Sequence, residues 1–331
     1  NAQGSIIINE SISSTIGTLG VIMTATSGNI TIGDGVGDTI NANGGTVSLT
    51  ATAGAINGNA LASPHISAAS ISLSSATGIG AASVLKIDTP LLSSATVSGA
   101  GIINIADISG GLVVTSATTT DGTITLSAAG GNLTVTSATA PFSLNNINLN
   151  TTGSGNVILG VINAQNQVTI NSAGSILDNI SDSTADISVT SSVSLTAANG
   201  IGNSTTGSID MISPSTSATV TGTGDIYLNL LGGGVKTLNS IATNNGDIDV
   251  QSANSLAVGV VTAGNGGVAG DVTLTTTVGS IRDNVGVDDS VADIIGDYVW
   301  VSADSGVGEI GVSGSLDVNS KTLEADTTTG G

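Results

Sequence analysis

The feature that most restricts the fold of this 331-residue chain is a set of three short sequence motifs, here called phrases, that recur in one fixed order. Recurrence at a long period indicates a repeat architecture. The first phrase pairs a Val-x-Leu/Ile strand with a Gly-x-Ile turn, and the second and third pair similar strands with glycine turns. Their copies lie at 47–59, 168–179 and 272–284, at 71–80, 193–202 and 299–308, and at 28–32, 122–126 and 246–250.

The order of the phrases divides the chain into three long repeat units, approximately 4–100, 101–223 and 224–331. The second unit contains an extra strand-and-turn piece around residues 132–159. A stacked solenoid tolerates a whole added turn because the stacking of its neighbours stays intact. We therefore predict one continuous solenoid over residues 1–331.

The shorter rhythm within each unit is that of β-strands. In Val47-Ser48-Leu49-Thr50 the apolar residues alternate with polar ones, which places them on opposite faces of a strand. Gly, Asn, Asp and Ser separate such strands, and nothing shows the 3.6-residue period of a helix. The sequence therefore predicts an all-β chain.

Aromatic residues are scarce, and this scarcity decides between two all-β architectures. The whole chain has one Trp, two Tyr and one Phe. Tandem immunoglobulin-like β-sandwich domains, the alternative, are normally built around a buried core aromatic. A parallel β-helix (β-solenoid) instead fills a thin core with Val, Ile and Leu, and we expect about 15 coils rising about 4.8 Å each.

Charge and composition exclude several partners. Four Lys and Arg against 24 Asp and Glu give a net charge of −20, so a nucleic acid or an anionic membrane would find no basic patch. The chain has no cysteine for a disulfide framework. It also has no apolar run of about 18 residues, and we predict no membrane insertion.

Acidic residues near the end of the chain are the best signal for a bound ion. Residues 271–331 hold 11 of the 24 carboxylates. Calcium takes six to eight oxygen ligands, which turns rich in Asp and Asn provide. The candidate ligands are Asp283, Asp288, Asp289, Asp293 and Asp297. Solvated turn acids that discourage aggregation are the alternative, so calcium is a possible but not a required ligand.

Two further features of the sequence bear on function. Tyr298 and Trp300 lie two residues apart on one strand, and alternation places both rings outward, where they stack on sugar or dock a neighbouring chain. Cover from a local loop is the equal alternative. The single histidine, His65, follows Pro64, and we expect a surface imidazole there rather than a general base.

Three sets of residues carry a family resemblance. They are the run Leu-Thr-Ala-Ala-Asn-Gly-Ile-Gly at 195–202, the Gly-Ser-Ile-Leu/Arg-Asp-Asn runs at 174–179 and 279–284, and the Gly-Asp-Ile/Val turns at 224, 246 and 270. At these phrases the chain resembles the repetitive stalks of filamentous-haemagglutinin-like adhesins and related giant β-strand-repeat surface proteins of bacteria. The resemblance implies secretion, a right-handed parallel β-helix and a role as spacer or adhesive shaft, and it brings no catalytic residues.

The sequence therefore favours a structural or adhesive rod segment of a large secreted bacterial cell-surface protein, without catalysis. A self-assembling subunit of an extracellular filament or sheath is the alternative, and a polysaccharide-active β-helix enzyme is a third hypothesis. The last repeat unit stops part-way, so we expect further repeats of the same chain or an identical chain as partner. Surface glycans are the other partner class that we expect.

Overall fold

The structure is a computed structural model of the whole chain, and it describes residues 1–13, 20–33, 37–60, 64–204, 207–265, 270–284, 291–308 and 315–328. These residues form strands, turns and bends and contain no helix. The described part therefore holds no helix of the length and apolar character that crossing a membrane requires. The strands group into two compact units, residues 1–166 and 167–331.

The first unit holds strands β1 to β18. In chain order they are Ile6–Ile8, Ile12–Ser13, Val21–Ala25, Ile30–Ile32, Ile40–Asn41, Thr46–Ala51, Ile56–Gly58, Ile66–Ser67, Ser70–Ser75, Leu85–Asp88, Leu91–Ala100, Ile103–Asp107, Leu112–Val114, Ala117–Asp121, Ile124–Ala129, Leu133–Ala140, Ile147–Thr152 and Val157–Ala164.

The second unit holds strands β19 to β34. In chain order they are Gln167–Ser172, Ser175–Asp178, Ile187–Ser188, Ser192–Ala197, Gly200–Ile201, Ile209–Ile212, Ser215–Val220, Ile226–Leu230, Lys236–Thr243, Ile248–Ser252, Leu256–Thr262, Val272–Thr276, Ser280–Asp283, Ile294–Ala303, Gly306–Val307 and Val318–Thr327.

The strands pair in parallel, each with the strand about one coil further along the chain. In the first unit β12 pairs with β15 and β15 with β17, and in the second β26 pairs with β28 and β28 with β30. Antiparallel pairing, which an immunoglobulin-like sandwich requires, does not occur among these pairs. The chain is therefore a parallel β-solenoid, as the repeat predicts, with about 12 turns.

The number of turns is smaller than the 15 that we expect from the sequence. In the first unit Val21 pairs with Val47 and Val47 pairs with Ile71, so one coil takes 26 residues and the next takes 24. Each coil therefore contains more residues than 15 coils would allow, and these residues lie in the turns, or corners, between strands. The two compact units do not test the division into three sequence repeats, which remains a prediction.

Apolar columns form the core of each unit. Ile103, Ile124 and Ile147 occupy the same register position in three successive coils, and all three are fully buried. In the second unit Ile226 and Ile248 form a column of the same kind. Because these columns hold β-branched side chains of similar size, this part of the interior fills without large rings.

Glycine and Asx residues close the corners. In the second unit Gly224, Gly246 and Gly270 stack in successive coils, and a Cβ atom at Gly246 would overlap the carbonyl oxygen of Gly224. The residue that follows each glycine is Asp, and its carboxylate accepts a backbone N–H from the next coil, for example Asp225 Oδ1 from the N–H of Asp247 at 2.8 Å. Corner residues thereby satisfy backbone donors that a strand end leaves unpaired.

His65 does not have the surface imidazole that we expect from its place after Pro64. Its side chain is 1% exposed. Nδ1 accepts the N–H of Lys86 at 2.9 Å, and Nε2 lies 3.0 Å from the carbonyl oxygen of Asn59. The ring is therefore a neutral bridge between coils, and desolvation by burial lowers its pKa below the usual value. Sequence reasoning failed here because inter-coil burial depends on register.

Substitution of Gly246 tests the corner stacking. We expect Gly246→Ala to lower the free energy of unfolding by about 1–3 kcal/mol, because the new methyl group meets backbone that cannot rotate away. Urea denaturation followed by far-ultraviolet circular dichroism measures the change. Gly233→Ala is the matched control, since no atom lies within 4 Å of its Cβ position. Equal denaturation midpoints for the two variants would contradict the stacking argument.

Candidate binding face

One outward face of the second unit gathers most of the aromatic side chains of the chain. It is formed by β26, β28, β30, β32 and β34, whose register is continuous from strand to strand. Core residues of these strands, such as Val299 and Val301, are fully buried. The residues between them point outward, because successive side chains of a strand alternate faces.

The aromatic residues occupy two adjacent columns of this face. Tyr227 lies on β26 in the column that continues through Asp249 and Thr273 to Trp300. Tyr298 lies in the neighbouring column, two residues before Trp300 on β32. Trp300 is 40% exposed, while Val299 between the two rings is buried. Three of the four aromatic residues of the chain therefore share one face.

A column of carboxylates runs beside the rings. Asp225, Asp247 and Asp271 occupy one register position in successive coils. Asp247 Oδ1 accepts the N–H of Asp271 at 2.8 Å, and Asp271 Oδ1 accepts the N–H of Tyr298 at 3.1 Å. These bonds hold each carboxylate at a fixed place along the face. Like charges stacked at the strand spacing repel one another, a cost that the backbone hydrogen bonds offset.

The phenol groups respond to these charges. Burial raises the pKa of Tyr227, and the nearby carboxylates of Asp225, Asp247 and Asp249 raise it further. A hydrogen bond from the Tyr298 hydroxyl to Glu324 Oε2, 2.5 Å long, raises the pKa of Tyr298. Both phenols therefore stay protonated at neutral pH and act as hydrogen-bond donors.

Positive charge is nearly absent from the face. The strands β26, β28, β30 and β32 contain neither Lys nor Arg. The fifth strand, β34, contributes Lys321, whose Nζ lies 2.6 Å from Asp297 Oδ1. The seven carboxylates on and beside the face thus exceed its cations. They belong to Asp225, Asp247, Asp249, Asp271, Asp297, Glu324 and Asp326.

The five predicted calcium ligands do not gather into one site in the part of the chain that the structure describes. Asp283 is buried at the end of β31, Asp293 Oδ2 accepts the N–H of Asp317 at 2.8 Å, and Asp297 pairs with Lys321. The other two, Asp288 and Asp289, lie outside the described residues. Over the described residues no three His, Cys, Asp or Glu side chains form a group that could hold a metal ion. Calcium binding stays a prediction.

A second polar cluster was not selected from the sequence as a site. In the second unit the side chains of Asp186 and Asp210 are 6% and 2% exposed. Asp186 Oδ2 accepts the N–H of Asp210 at 2.9 Å, and Asp210 Oδ1 accepts Asn229 Nδ2 at 2.7 Å. Burial is the main cause that raises the pKa of Asp186 to about 8, and Asp178 adds to it.

Neighbouring carboxyl groups with raised pKa values, such as Asp186 and Asp210, are a feature of many acid–base sites. General acid–base catalysis needs a carboxyl group within hydrogen-bond reach of the reacting atom. The carboxyl groups of Asp186 and Asp210 are enclosed, and their oxygens bond to the backbone, to Asn229 and to the side chain of Asp178. Enclosed groups of this kind hold two coils together and offer no surface to a polysaccharide. The enzyme hypothesis therefore gains no support from the pair.

Fold and face together define the chain as a parallel β-solenoid repeat protein with a polar outer surface. No protein-family model matches the chain, and the searches of curated proteins and of solved structures gave no match either.

Sequence reasoning found Tyr298 and Trp300 but missed the rest of the face. Both rings lie outward, as strand alternation predicts. Tyr227 and Asp249 were not selected, because their distance from Trp300 in the sequence hides their shared column. The signal that could have found them is the Gly-Asp-Ile/Val turn at 224, 246 and 270, which sets the register of the three strands that follow.

Replacement of Asp186 tests the buried carboxyl pair. A carboxyl group whose pKa rises from 3.8 unfolded to about 8 folded binds a proton on folding, so stability falls as pH rises through that window. We expect Asp186→Asn, which keeps an oxygen acceptor, to reduce this decline between about pH 4 and pH 8. Urea titrations across that range measure it.

Asp182→Asn is the control for this experiment. Asp182 is exposed, and a hydrogen bond from the Thr184 hydroxyl lowers its pKa. Its effect on stability therefore falls below the pH window of Asp186. An unchanged pH profile in Asp186→Asn, or an equal change in Asp182→Asn, would contradict the assignment.

Proposed function

We propose that the chain is a structural or adhesive rod segment of a large secreted bacterial cell-surface protein and that it catalyses no reaction. The observation that carries the proposal is the repeated parallel pairing of strands over apolar columns within each unit. Such stacking builds length from identical contacts, since each coil contacts only its neighbours. The resemblance to stalk regions of surface adhesins supports the extracellular location.

The polar surface fits this role. A net charge of −20 keeps long solenoids apart in solution and resists lateral association. Four Lys and Arg in 331 residues leave few sites for trypsin-like proteases, an advantage outside the cell. The corner acids also interrupt the exposed sheet surfaces with charge, which discourages edge-to-edge aggregation.

A self-assembling filament subunit is the second candidate, and one observation favours it. Leu323 and Ala325 of β34 continue the core columns of Val299 and Val301. Leu323 is nonetheless 52% exposed, while Val299 is fully buried. A further parallel coil, from more repeats or from a second copy of the chain, would cover these apolar positions.

Electron microscopy and light scattering of the purified chain distinguish the two candidates. For a rod segment we expect isolated particles with the mass of one chain at all concentrations, with calcium or with a chelator. Long filaments would contradict the rod segment and support the filament subunit. Filaments that form only with calcium would assign the acidic residues 283–297 to a junction between copies.

Two variants make the test specific. If filaments form, Leu323→Asp should abolish them, because a charge at this position prevents burial under a second coil. Leu144→Asp is the matched control, since Leu144 is 80% exposed in a turn of the first unit. Assembly that tolerates Leu323→Asp would exclude stacking on β34.

A further inference from the structure

We propose that the aromatic and acidic face of β26, β28, β30, β32 and β34 binds a linear polysaccharide that carries protonated amino groups. The inference is independent of the rod proposal, because a rod segment needs no ligand on this face. The face combines three outward aromatic side chains, an excess of carboxylates and several neutral polar side chains.

The charge of the face determines the charge that a bound molecule must carry. The carboxylates of Asp225, Asp247 and Asp271 are fixed by hydrogen bonds to the next coil, and the strands that begin directly after them have neither Lys nor Arg. Successive strands lie about 4.8 Å apart, so the column presents negative charge at a regular short interval. A polymer with ammonium groups matches this column, whereas a sulfated or carboxylated polymer is repelled.

The rings supply the apolar contact that a sugar needs. Tyr298 and Trp300 stand about 7 Å apart on one strand, since each residue advances a strand by about 3.4 Å. Tyr227 lies in the same column as Trp300, three coils away, at about 14 Å for a strand spacing of about 4.8 Å. The C–H faces of pyranose rings pack on such aromatic surfaces, and ammonium groups are attracted to them.

Neutral polar groups fill the space between the rings and beyond them. Thr273 occupies the column between Asp249 and Trp300. Gln251 and Thr275 lie in the adjacent outward column, whose first member, Asn229, already donates its amide to Asp210. These amides and hydroxyls both donate and accept hydrogen bonds, as the hydroxyl groups of a sugar require.

The same face is poorly suited to a basic peptide. Extended peptides bind by adding a strand to an exposed sheet edge, and helical ones lie in apolar grooves. On this face the backbone groups of β28 and β30 pair with the coils on either side, so a peptide backbone finds no partner there. A saccharide needs only side-chain partners, and the face supplies them.

Fluorescence of Trp300 tests the proposal directly, because it is the only tryptophan in the chain. The probe is a β-1,4-linked glucosamine hexamer, titrated at low salt and at a pH where its amines are protonated. We expect a saturable change in Trp300 emission that weakens as salt is added. The fully N-acetylated hexamer, which has the same rings without the charge, should bind at least about tenfold more weakly.

Variants distinguish binding at this face from attraction by the net charge of the chain. Asp247→Asn combined with Asp271→Asn keeps the oxygen that accepts each backbone N–H, and it should weaken binding about five- to tenfold. The matched control neutralises Asp88 and Asp121 of the first unit and should leave binding unchanged. Tyr298→Ala should also weaken binding, while Phe142→Ala, the one aromatic off the face, should not.

Three outcomes would overturn the proposal. Equal affinity for the acetylated hexamer would show that the amino groups do not contribute to binding. Equal loss in the two double variants would show that net charge alone attracts the probe. A saturable Trp300 response to polylysine with the same sensitivity to Tyr298→Ala would identify the face as a site for basic peptides. None of these results would affect the rod proposal, whose test is the state of assembly.

Discussion

Parallel backbone hydrogen bonding between successive coils is the interaction on which the structure of each unit depends. It fixes the register, and the register places residues that are 20 or more positions apart in the sequence into common columns. In the first unit Leu126 lies between Ile105 and Leu149, so an apolar column forms. Because this pairing is repeated at every coil, a small set of side chains suffices for the whole core.

Close approach of the backbone at the corners is the second constraint on the structure of each unit. Stacked backbone leaves no room for Cβ atoms, and glycine therefore recurs at the same place, as at Gly246 over Gly224. The Asx residue after it accepts a backbone N–H from the next coil, as Asn29 and Asn132 do in the first unit. In the second unit the same corner uses Asp instead, and the result is a charged column.

The charged column connects the fold to the candidate function. Asn also closes the corner, as the first unit shows. Use of Asp at 225, 247 and 271 makes each corner hydrogen bond charge-assisted, at the cost of repulsion between neighbouring coils. A cost of this kind beside exposed rings is typical of a surface selected for binding, where local rules of stability are broken for function.

Prediction succeeded where a local pattern decides the outcome and failed where register does. Alternation alone places Trp300 outward and Val299 inward, and the structure agrees. His65 follows a proline, yet the coil above covers it and Lys86 donates to its ring. Calcium binding at 283–297 stays a prediction: of its described ligands, Asp283 lies at the end of β31, and Asp297 lies on β32, where it pairs with Lys321.

The sequence by itself determined the all-β class and the repeated coil, because strand alternation and glycine corners are local properties that recur along the chain. It also determined the acidic surface and the thin aliphatic core. Only the tertiary structure decided which residues meet. The columns that unite Tyr227, Asp249 and Trp300, and the burial of Asp186 against Asp210, follow from the length of each corner, which shifts the register and which no local pattern encodes.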